Sequence, residues 1–109
     1  WLENGNLSEA AVRGKELFTQ VGCAACHPGP YYTDNKLHEL GFTRDLDEGK
    51  PVDTPTLIEV WRTAPYLHDG RAATLHDMLT TFNPEDRHGK TSDLNEQQLE
   101  DLISYVLSL

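Results

Sequence analysis

The chain has 109 residues, of which 38% are hydrophobic and 25% charged, and its formal net charge at pH 7 is −9. Its length predicts one domain spanning residues 1–109, and no apolar run approaches the roughly 18 residues that a membrane span requires. With 18 acidic against 9 basic residues, a nucleic-acid partner is excluded, because phosphates attract basic surfaces; a basic partner or a solvated acidic surface is expected instead. The acidic positions assigned to that surface are Asp45, Asp47 and Glu48 in a loop and Glu96, Glu100 and Asp101 on the last predicted helix.

The first helix is predicted to begin at Asn6 or Ser8 and to end near Gln20. Either residue can cap the helix, since its side-chain oxygen accepts from the first free N–H groups, and Glu9 places a negative charge in the first turn, where the helix dipole favours it. Apolar positions recur at helical spacing and predict the buried face: Ala11, Gly14, Leu17, Phe18 and Val21.

Two shorter helices are predicted in the middle of the chain, where signals for β-strands are almost absent. The first, from Thr54 to Trp61, opens on a Thr-Pro pair, because proline is well tolerated in the first helical turn. The second, from Leu75 to Phe82, has Thr74 as its N-cap and Asp77 three residues later. Glycine and proline residues separate the helices as long loops, and long loops in so small a domain usually line a functional site.

The last helix has the strongest boundary signal. Asn95 as N-cap and Gln98 three residues later form a capping box, and Leu94 and Leu99 have the spacing of a hydrophobic staple. The face toward the core follows at helical spacing: Leu99, Leu102, Ile103, Tyr105 and Val106. These elements together predict an all-α fold with long loops.

Both cysteines of the chain stand in the segment CAACH, Cys23 to His27. A thioredoxin-like redox pair belongs to a βαβ unit, whereas the flanking segments here are helix and loop. A structural zinc site needs four ligands, and the other histidines are scattered singly. Two buried cysteines beside a surface histidine are the simplest alternative. Covalent haem attachment uses C-x-x-C-H, since each thiol adds to one vinyl group while the histidine reaches the iron, and we expect one haem c bound through Cys23 and Cys26.

The terminal segments GKELFTQVGCAACH (residues 14–27) and EDLISYVLSL (residues 100–109) resemble the terminal helices of c-type cytochromes. In that family a glycine and an aromatic residue on the first helix cross a leucine and an aromatic residue on the last. The matching residues here are Gly14, Phe18, Leu102 and Tyr105. The resemblance implies a cytochrome c fold, with crossed terminal helices and with shorter helices and long loops around one haem.

The middle of the chain narrows the resemblance. DTPTLIEVWRTAPYLHDGRAATLHDML (residues 53–79) and LHELG (residues 37–41) are similar to the C-terminal, electron-transferring haem domain of bacterial di-haem cytochrome c peroxidases. Two features depart from that family. The chain has one C-x-x-C-H motif where the peroxidases have two, and Phe82 stands where an ungapped count puts the methionine ligand of their electron-transferring haem. The second axial ligand must therefore come from elsewhere, or be absent.

His27 is the proximal ligand that the motif implies. The candidates for the distal position are Met78, His38, His68, His76 and His88. Met78 lies on the apolar face of its predicted helix, so packing in the core is its simpler role. His76 is expected to be solvated. His38 and His68 match histidines that the peroxidase domain carries without binding this iron, which implies hydrogen bonding near the haem edge.

His88 is the favoured second ligand, with Met78 as the alternative. It lies in the polar loop NPEDRHGKTS, 13 residues before Asp101, at the spacing that separates the distal methionine of single-haem cytochromes c from the matching helix position. Gly89 beside it would let the backbone approach the porphyrin closely. An ordinary exposed loop histidine and an iron with an open sixth position are the remaining alternatives.

Other residues are assigned to the haem surroundings. Pro28 or Pro30 is expected to offer a carbonyl to the second ring nitrogen of His27, which would fix the orientation of the ring. Arginine pairs bidentately with carboxylates such as haem propionates, although a plain surface role is equally open. The pocket assignments are Arg62 and Arg71 toward the propionates and Trp61 and Tyr66 as packing.

The leading functional hypothesis is electron transfer, with an electron carrier expected rather than an enzyme. The alternatives are peroxide reduction or gas sensing at an open sixth iron position. Haem is attached to such motifs outside the bacterial cytoplasm, and the chain begins at Trp1 without an initiator Met or a leader. We therefore expect a mature or excised piece of a periplasmic or otherwise extracytoplasmic protein, whose partner is a redox protein or another domain of the parent.

Overall fold

The computed structural model describes residues 2–41, 43, 46 and 48–109, so that Asp45 and Asp47 of the predicted acidic loop lie outside the described residues. The described part is mainly helical: α1 is Glu9–Gln20, α2 is Cys23–Cys26, α3 is Leu75–Leu79 and α4 is Glu96–Val106, with a 3-10 helix at Val60–Arg62. Its strands are two residues long and form two antiparallel pairs: β1 (Leu2–Glu3) with β2 (Asn6–Leu7), and β3 (Leu37–His38) with β4 (Val52–Asp53). Among the described residues, no helix combines the length and apolarity that crossing a membrane needs.

Helix α1 begins at the cap that Ser8 provides. The Ser8 hydroxyl accepts from the Ala11 N–H at 3.2 Å, whereas Asn6, the other candidate, belongs to β2. The predicted end at Gln20 is confirmed. The residues that α1 buries are those that helical spacing predicted: Ala11, Gly14, Leu17 and Phe18.

Helix α4 begins with the predicted capping box. The Asn95 side chain accepts from the Gln98 N–H at 2.8 Å, and the Gln98 side chain accepts from the Asn95 N–H at 2.9 Å. Leu94 and Leu99 both pack into the core. The predicted inner face is buried in full: Leu99, Leu102, Ile103, Tyr105 and Val106.

Helices α1 and α4 cross at Gly14, where the two backbones touch. A Cβ atom at Gly14 would lie 1.9 Å from the carbonyl oxygen of Asp101 and 2.9 Å from Cβ of Tyr105. Separations this short do not occur between real side chains, so only glycine fits at this crossing. The crossing packs the first long helix against the last one.

Asp101 is buried at this crossing, and its assignment to the solvated acidic surface is wrong. The residue is 3% exposed. Its carboxylate accepts from Arg13 Nε at 2.7 Å and from Arg13 Nη2 at 2.8 Å, and Gln97 donates to it at 3.1 Å. The hydrogen bonds from Arg13 lower the pKa of Asp101, with a smaller contribution from Gln97. This ion pair lets a charged side chain occupy the helix contact.

The helix predicted from Thr54 to Trp61 is wrong for most of its length. Residues 54–57 are not helical, and only the end of the segment turns, in the 3-10 helix. The Thr54 N–H donates to the carbonyl of Lys36 at 3.0 Å, and the Thr33 hydroxyl donates to the carbonyl of Thr54 at 2.6 Å. The Ile58 N–H, which would donate to the Thr54 carbonyl in a helix, donates to the Thr56 hydroxyl at 3.2 Å instead, so the first helical hydrogen bond does not form.

Helix α3 has the predicted cap but ends at Leu79 rather than Phe82. The Thr74 hydroxyl accepts from the Asp77 N–H at 3.1 Å. At the other end, the carbonyl of Leu79 accepts from the Thr91 hydroxyl at 2.7 Å instead of from a following turn of helix. The later loop therefore supplies the hydrogen bond that terminates α3.

Candidate functional site

The two cysteines face one side of a single helical turn. Gly22 precedes α2 with φ of +93°, a left-handed conformation that glycine adopts at no steric cost. Cys23 and Cys26 follow at the ends of that turn, both half-buried and both free thiols. Burial raises the pKa of Cys23 to about 11 and also raises the pKa of Cys26. A redox pair needs a lowered thiol pKa, so the local environment disfavours thioredoxin-like chemistry.

His27 ends this turn with one ring nitrogen already engaged. The residue is 8% exposed, and its Nδ1 lies 2.9 Å from the carbonyl oxygen of Tyr32. A carbonyl can only accept, so Nδ1 donates and Nε2 keeps a lone pair for a metal. The carbonyl belongs to Tyr32, and the expectation that Pro28 or Pro30 supplies it is wrong. Burial lowers the pKa of His27 against the opposing effect of this hydrogen bond.

The His88 loop is organised by the side chain of Asn83. Asn83 Oδ1 accepts from the His88 N–H at 2.9 Å, while Nδ2 donates to the carbonyls of His88 at 3.1 Å and Gly89 at 2.8 Å. Nδ2 also lies 3.1 Å from the hydroxyl oxygen of Thr91. Asn83 is 6% exposed, and its hydrogen bonds close residues 83–91 into a fixed loop.

This loop lies against the segment that carries the cysteines. The Lys90 N–H donates to the carbonyl of Val21 at 2.9 Å, and a Cβ at Gly89 would lie 3.6 Å from Cys23 Sγ. His88 Nδ1 is buried here. Burial, with a smaller contribution from the charge of His27, lowers the pKa of His88 to about 4. The structure therefore brings the loop that carries His88 against the segment that carries both cysteines and His27.

The remaining candidate ligands lie in other surroundings. Met78 is half-buried and packs against the hydrophobic core. His38 Nε2 lies 2.7 Å from Asp34 Oδ2, and both side chains are close to Cys26. His76 Nε2 lies 2.6 Å from Glu96 Oε1, near the start of α4. His68 is exposed.

Of the four residues assigned to the haem pocket, two are exposed and two are half-buried. Trp61 and Arg62 are both largely exposed; the Arg62 guanidinium lies 6.0 Å from the Trp61 ring centroid and forms an ion pair with Glu59. Tyr66 is half-buried and its hydroxyl donates to the carbonyl of Val60 at 3.2 Å. Arg71 pairs with Asp69, and this pairing lowers the pKa of Asp69 to about 2. Their roles toward a haem stay predictions: Trp61, Arg62, Tyr66 and Arg71.

Two residues that organise the site were missed in the sequence. Tyr32 carries the carbonyl that fixes His27, and nothing in its local sequence distinguishes it from the neighbouring prolines. Asn83 was predicted only to lie in the polar loop NPEDRHGKTS, as its first residue. An asparagine five residues before a candidate ligand is a usable signal, since its amide can pair with both backbone groups of a short loop.

The donor set fits a covalently bound haem c. Thioether attachment needs two cysteine thiols beside a histidine, and Cys23, Cys26 and His27 meet that need within one turn and its C-cap. Neutral imidazole is the form of histidine that binds iron. His27 and His88 both have a pKa below the ordinary histidine value, which keeps both rings in that form at neutral pH.

Comparison with known proteins supplies a family for this arrangement. The cytochrome c family model matches residues 11–109. Subunit gamma of hydrazine synthase from Kuenenia stuttgartiensis is 41% identical over 81 residues, which cover 73% of this chain and 22% of that subunit. A cytochrome-c peroxidase from Denitromonas iodatirespirans is 29% identical over 153 residues, which cover 94% of this chain and 41% of the peroxidase.

The solved structures contain the same fold. A chain in the structure of Kuenenia stuttgartiensis hydrazine synthase matches 99% of this chain with a TM-score of 0.88 and 30% sequence identity. The match covers 48% of that longer chain. The present chain therefore spans less than half the length of each of these relatives.

Proposed function

The chain belongs to the cytochrome c family, and we propose that it transfers electrons through one haem c bound covalently by Cys23 and Cys26. His27 and His88 are its proposed axial ligands. When bound, haem c supplies an iron that accepts and releases one electron. The chain supplies the two attachment points, the two imidazoles and the low-dielectric surroundings that tune the potential.

One observation carries this proposal: the loop of residues 83–91 contacts the segment that leads into α2, which carries both cysteines. The Lys90 N–H to Val21 carbonyl hydrogen bond fixes residue 90 beside the residue that precedes Gly22 and Cys23. Asn83 holds both backbone groups of His88, so the backbone that carries this imidazole is fixed in the loop beside the cysteine segment. This contact between the loop and the cysteine segment is what supports His88 as the second ligand.

The geometry favours His88 over Met78 as the distal ligand. Met78 packs against the hydrophobic core on α3, which is sufficient reason for an apolar side chain at that position. His88 lies in the loop that the Lys90 to Val21 hydrogen bond holds against the cysteine segment, and a neutral imidazole is a suitable ligand for iron. Two imidazole ligands predict a potential well below that of a cytochrome with histidine and methionine ligands, because a thioether raises it.

The wider setting follows from the attachment chemistry and the relatives. Covalent haem attachment to C-x-x-C-H implies an extracytoplasmic location, in a bacterium the periplasm. The relatives that the chain matches are longer proteins, one of which is a named subunit of an enzyme. We therefore propose that residues 1–109 act as one domain that exchanges electrons with another domain or with a redox protein, through a basic surface of that partner, given the net charge of −9.

The first test is whether haem stays on the polypeptide. The purified protein is denatured in acid and organic solvent, and haem is followed on the chain by mass and by absorbance. Thioether bonds survive these conditions, whereas axial bonds do not. Colourless polypeptide would end the proposal, and retained haem that is lost in a Cys23→Ala, Cys26→Ala double variant supports it.

The second test compares two substitutions in the holoprotein. His88→Ala is expected to change the absorption spectrum and to admit cyanide or carbon monoxide promptly, because it removes a ligand. Met78→Leu conserves volume in the core and is expected to leave the spectrum unchanged. The opposite pattern would assign Met78 to the iron.

Peroxide reduction is the second candidate function, and the similarity to a cytochrome-c peroxidase favours it. It requires an open or labile sixth position on the iron. Cyanide titration of the unsubstituted protein distinguishes electron transfer from peroxide reduction. Slow or undetectable binding agrees with a closed electron-transfer site, whereas prompt binding and turnover of hydrogen peroxide would favour the enzyme.

A further inference from the structure

Tyr32 has a backbone conformation that its own side chain disfavours. Its φ of +55° lies in the left-handed region, where bulky aromatic residues are rarely found without compensating contacts. At this position its carbonyl oxygen accepts from His27 Nδ1 at 2.9 Å. Contacts of the Tyr32 side chain therefore hold its backbone in this conformation.

The side chain of Tyr32 is anchored to α4. Its hydroxyl shares a hydrogen bond of 3.1 Å with the hydroxyl of Tyr105, a residue that is 4% exposed. Phe18 of α1 makes edge-to-face contacts with both rings, with centroid distances of 6.2 Å to Tyr32 and 5.3 Å to Tyr105. Burial raises the pKa of Tyr105, and the Tyr32 hydroxyl raises it further. Tyr105 therefore stays protonated at ordinary pH.

Tyr105 is itself fixed by the helix crossing. Its Cβ atom would lie 2.9 Å from a Cβ at Gly14, so α1 passes directly over it. A continuous set of contacts thus leads from the crossing of the terminal helices through two hydroxyl groups to the ring of His27.

We propose that the Tyr32–Tyr105 hydroxyl pair positions the Tyr32 carbonyl against His27 and thereby tunes the reduction potential. This inference rests on the proposed function, because it takes His27 as an iron ligand. A hydrogen bond from Nδ1 to a carbonyl makes the imidazole a more basic ligand. A more basic ligand stabilises ferric over ferrous iron, so loss of the hydroxyl pair raises the potential.

The test uses Tyr32→Phe and Tyr105→Phe in the holoprotein, since each removes one hydroxyl and keeps the ring. Midpoint potentials are measured by spectroelectrochemical titration, and hydrogen exchange of the His27 Nδ1–H is followed by NMR in the ferrous state. Both variants are expected to have a more positive potential and exchange faster by about tenfold, the effect of weakening one hydrogen bond. The double variant is expected to match the single ones, because both hydroxyls belong to one interaction.

Two control variants separate positioning from general destabilisation. Tyr31→Phe removes the hydroxyl of a neighbouring tyrosine that is 70% exposed, and Ser108→Ala removes a hydrogen bond from the end of α4. Both are expected to keep the parent potential. An unchanged potential in Tyr32→Phe, or an equal shift in Ser108→Ala, would overturn the inference, and Tyr32→Phe alone decides if Tyr105→Phe does not fold. A parent protein without covalent haem refutes the proposed function instead, before any of these variants is made.

Discussion

Replacing Gly14 with alanine is expected to destabilise the protein, because the added methyl group has no space. A Cβ at this position would lie 1.9 Å from the Asp101 carbonyl oxygen, whereas ordinary contacts begin at 3.4 Å. The helices must therefore move apart by roughly the difference, 1.5 Å. The obstructing atom belongs to a backbone, so no side-chain rotation can relieve the contact.

The expected magnitude follows from two opposing effects. Alanine is favoured over glycine in a helix interior by about 1 kcal/mol, and overpacking a close contact costs about 1–3 kcal/mol or more. Because the contact is with backbone, we expect the upper part of that range and a net loss of about 1–2 kcal/mol for Gly14→Ala. Gly14→Leu is expected to lose more. For a domain of this size, the loss expected for Gly14→Ala lowers Tm by roughly 5–15 °C.

The assay is thermal denaturation of the holoprotein, followed by circular dichroism at pH 7. Glu16→Ala is the matched control, since it changes an exposed position of the same helix and should alter stability by no more than about 0.5 kcal/mol. A Gly14→Ala variant that melts at or above the parent temperature would refute the reasoning. Helix propensity would then outweigh the contact, and α1 and α4 would not meet at Gly14.

The remaining predictions concern two buried polar side chains. Arg13 lowers the pKa of Asp101 below its ordinary 3.8, so this carboxylate stabilises the fold above that pH and the contribution is lost as pH falls through the lower folded-state pKa. In urea titrations at neutral and acidic pH, Asp101→Asn should reduce this pH dependence; an identical dependence in parent and variant would contradict the role. Asn83→Ala should cost about 2–3 kcal/mol in the same titrations and speed cyanide binding by loosening the His88 loop, whereas the exposed Asn6→Ala should do neither.

The resemblance to cytochrome c peroxidases and the cytochrome c fold were correctly predicted from sequence. The helix ends were predicted well where their signals are local. Ser8, Thr74 and Asn95 cap the helices as expected, because a cap involves a side chain and an N–H only two or three residues away. The resemblance to c-type cytochromes implied that Gly14 lies at the crossing, and its contact with Asp101 confirms this.

Apart from Asn83, which lies five residues before His88, the failures involve contacts between distant parts of the chain. The helix predicted at Thr54 does not form, and the carbonyl that would accept its first hydrogen bond accepts from the hydroxyl of Thr33 instead. Asp101 looked like a surface residue because its partner, Arg13, is 88 positions away. The carbonyl that orients His27 was sought in the adjacent prolines, whereas it belongs to Tyr32, whose side chain contacts Tyr105, 73 residues away. None of these pairings leaves a periodic or local trace in the sequence.

The same distinction explains why the two proposed ligands differ in how strongly the sequence specifies them. His27 follows Cys26 directly, so one helical turn brings both thiols and the proximal imidazole together without any help from the rest of the fold. His88 lies 61 residues after His27, and its place depends on the Asn83 side chain and on the Lys90 to Val21 hydrogen bond. A proximal ligand of this kind is fixed by the motif, whereas the distal ligand is a property of the folded loop. Substitutions that loosen that loop should therefore change the distal ligand first, while covalent attachment at the cysteines persists.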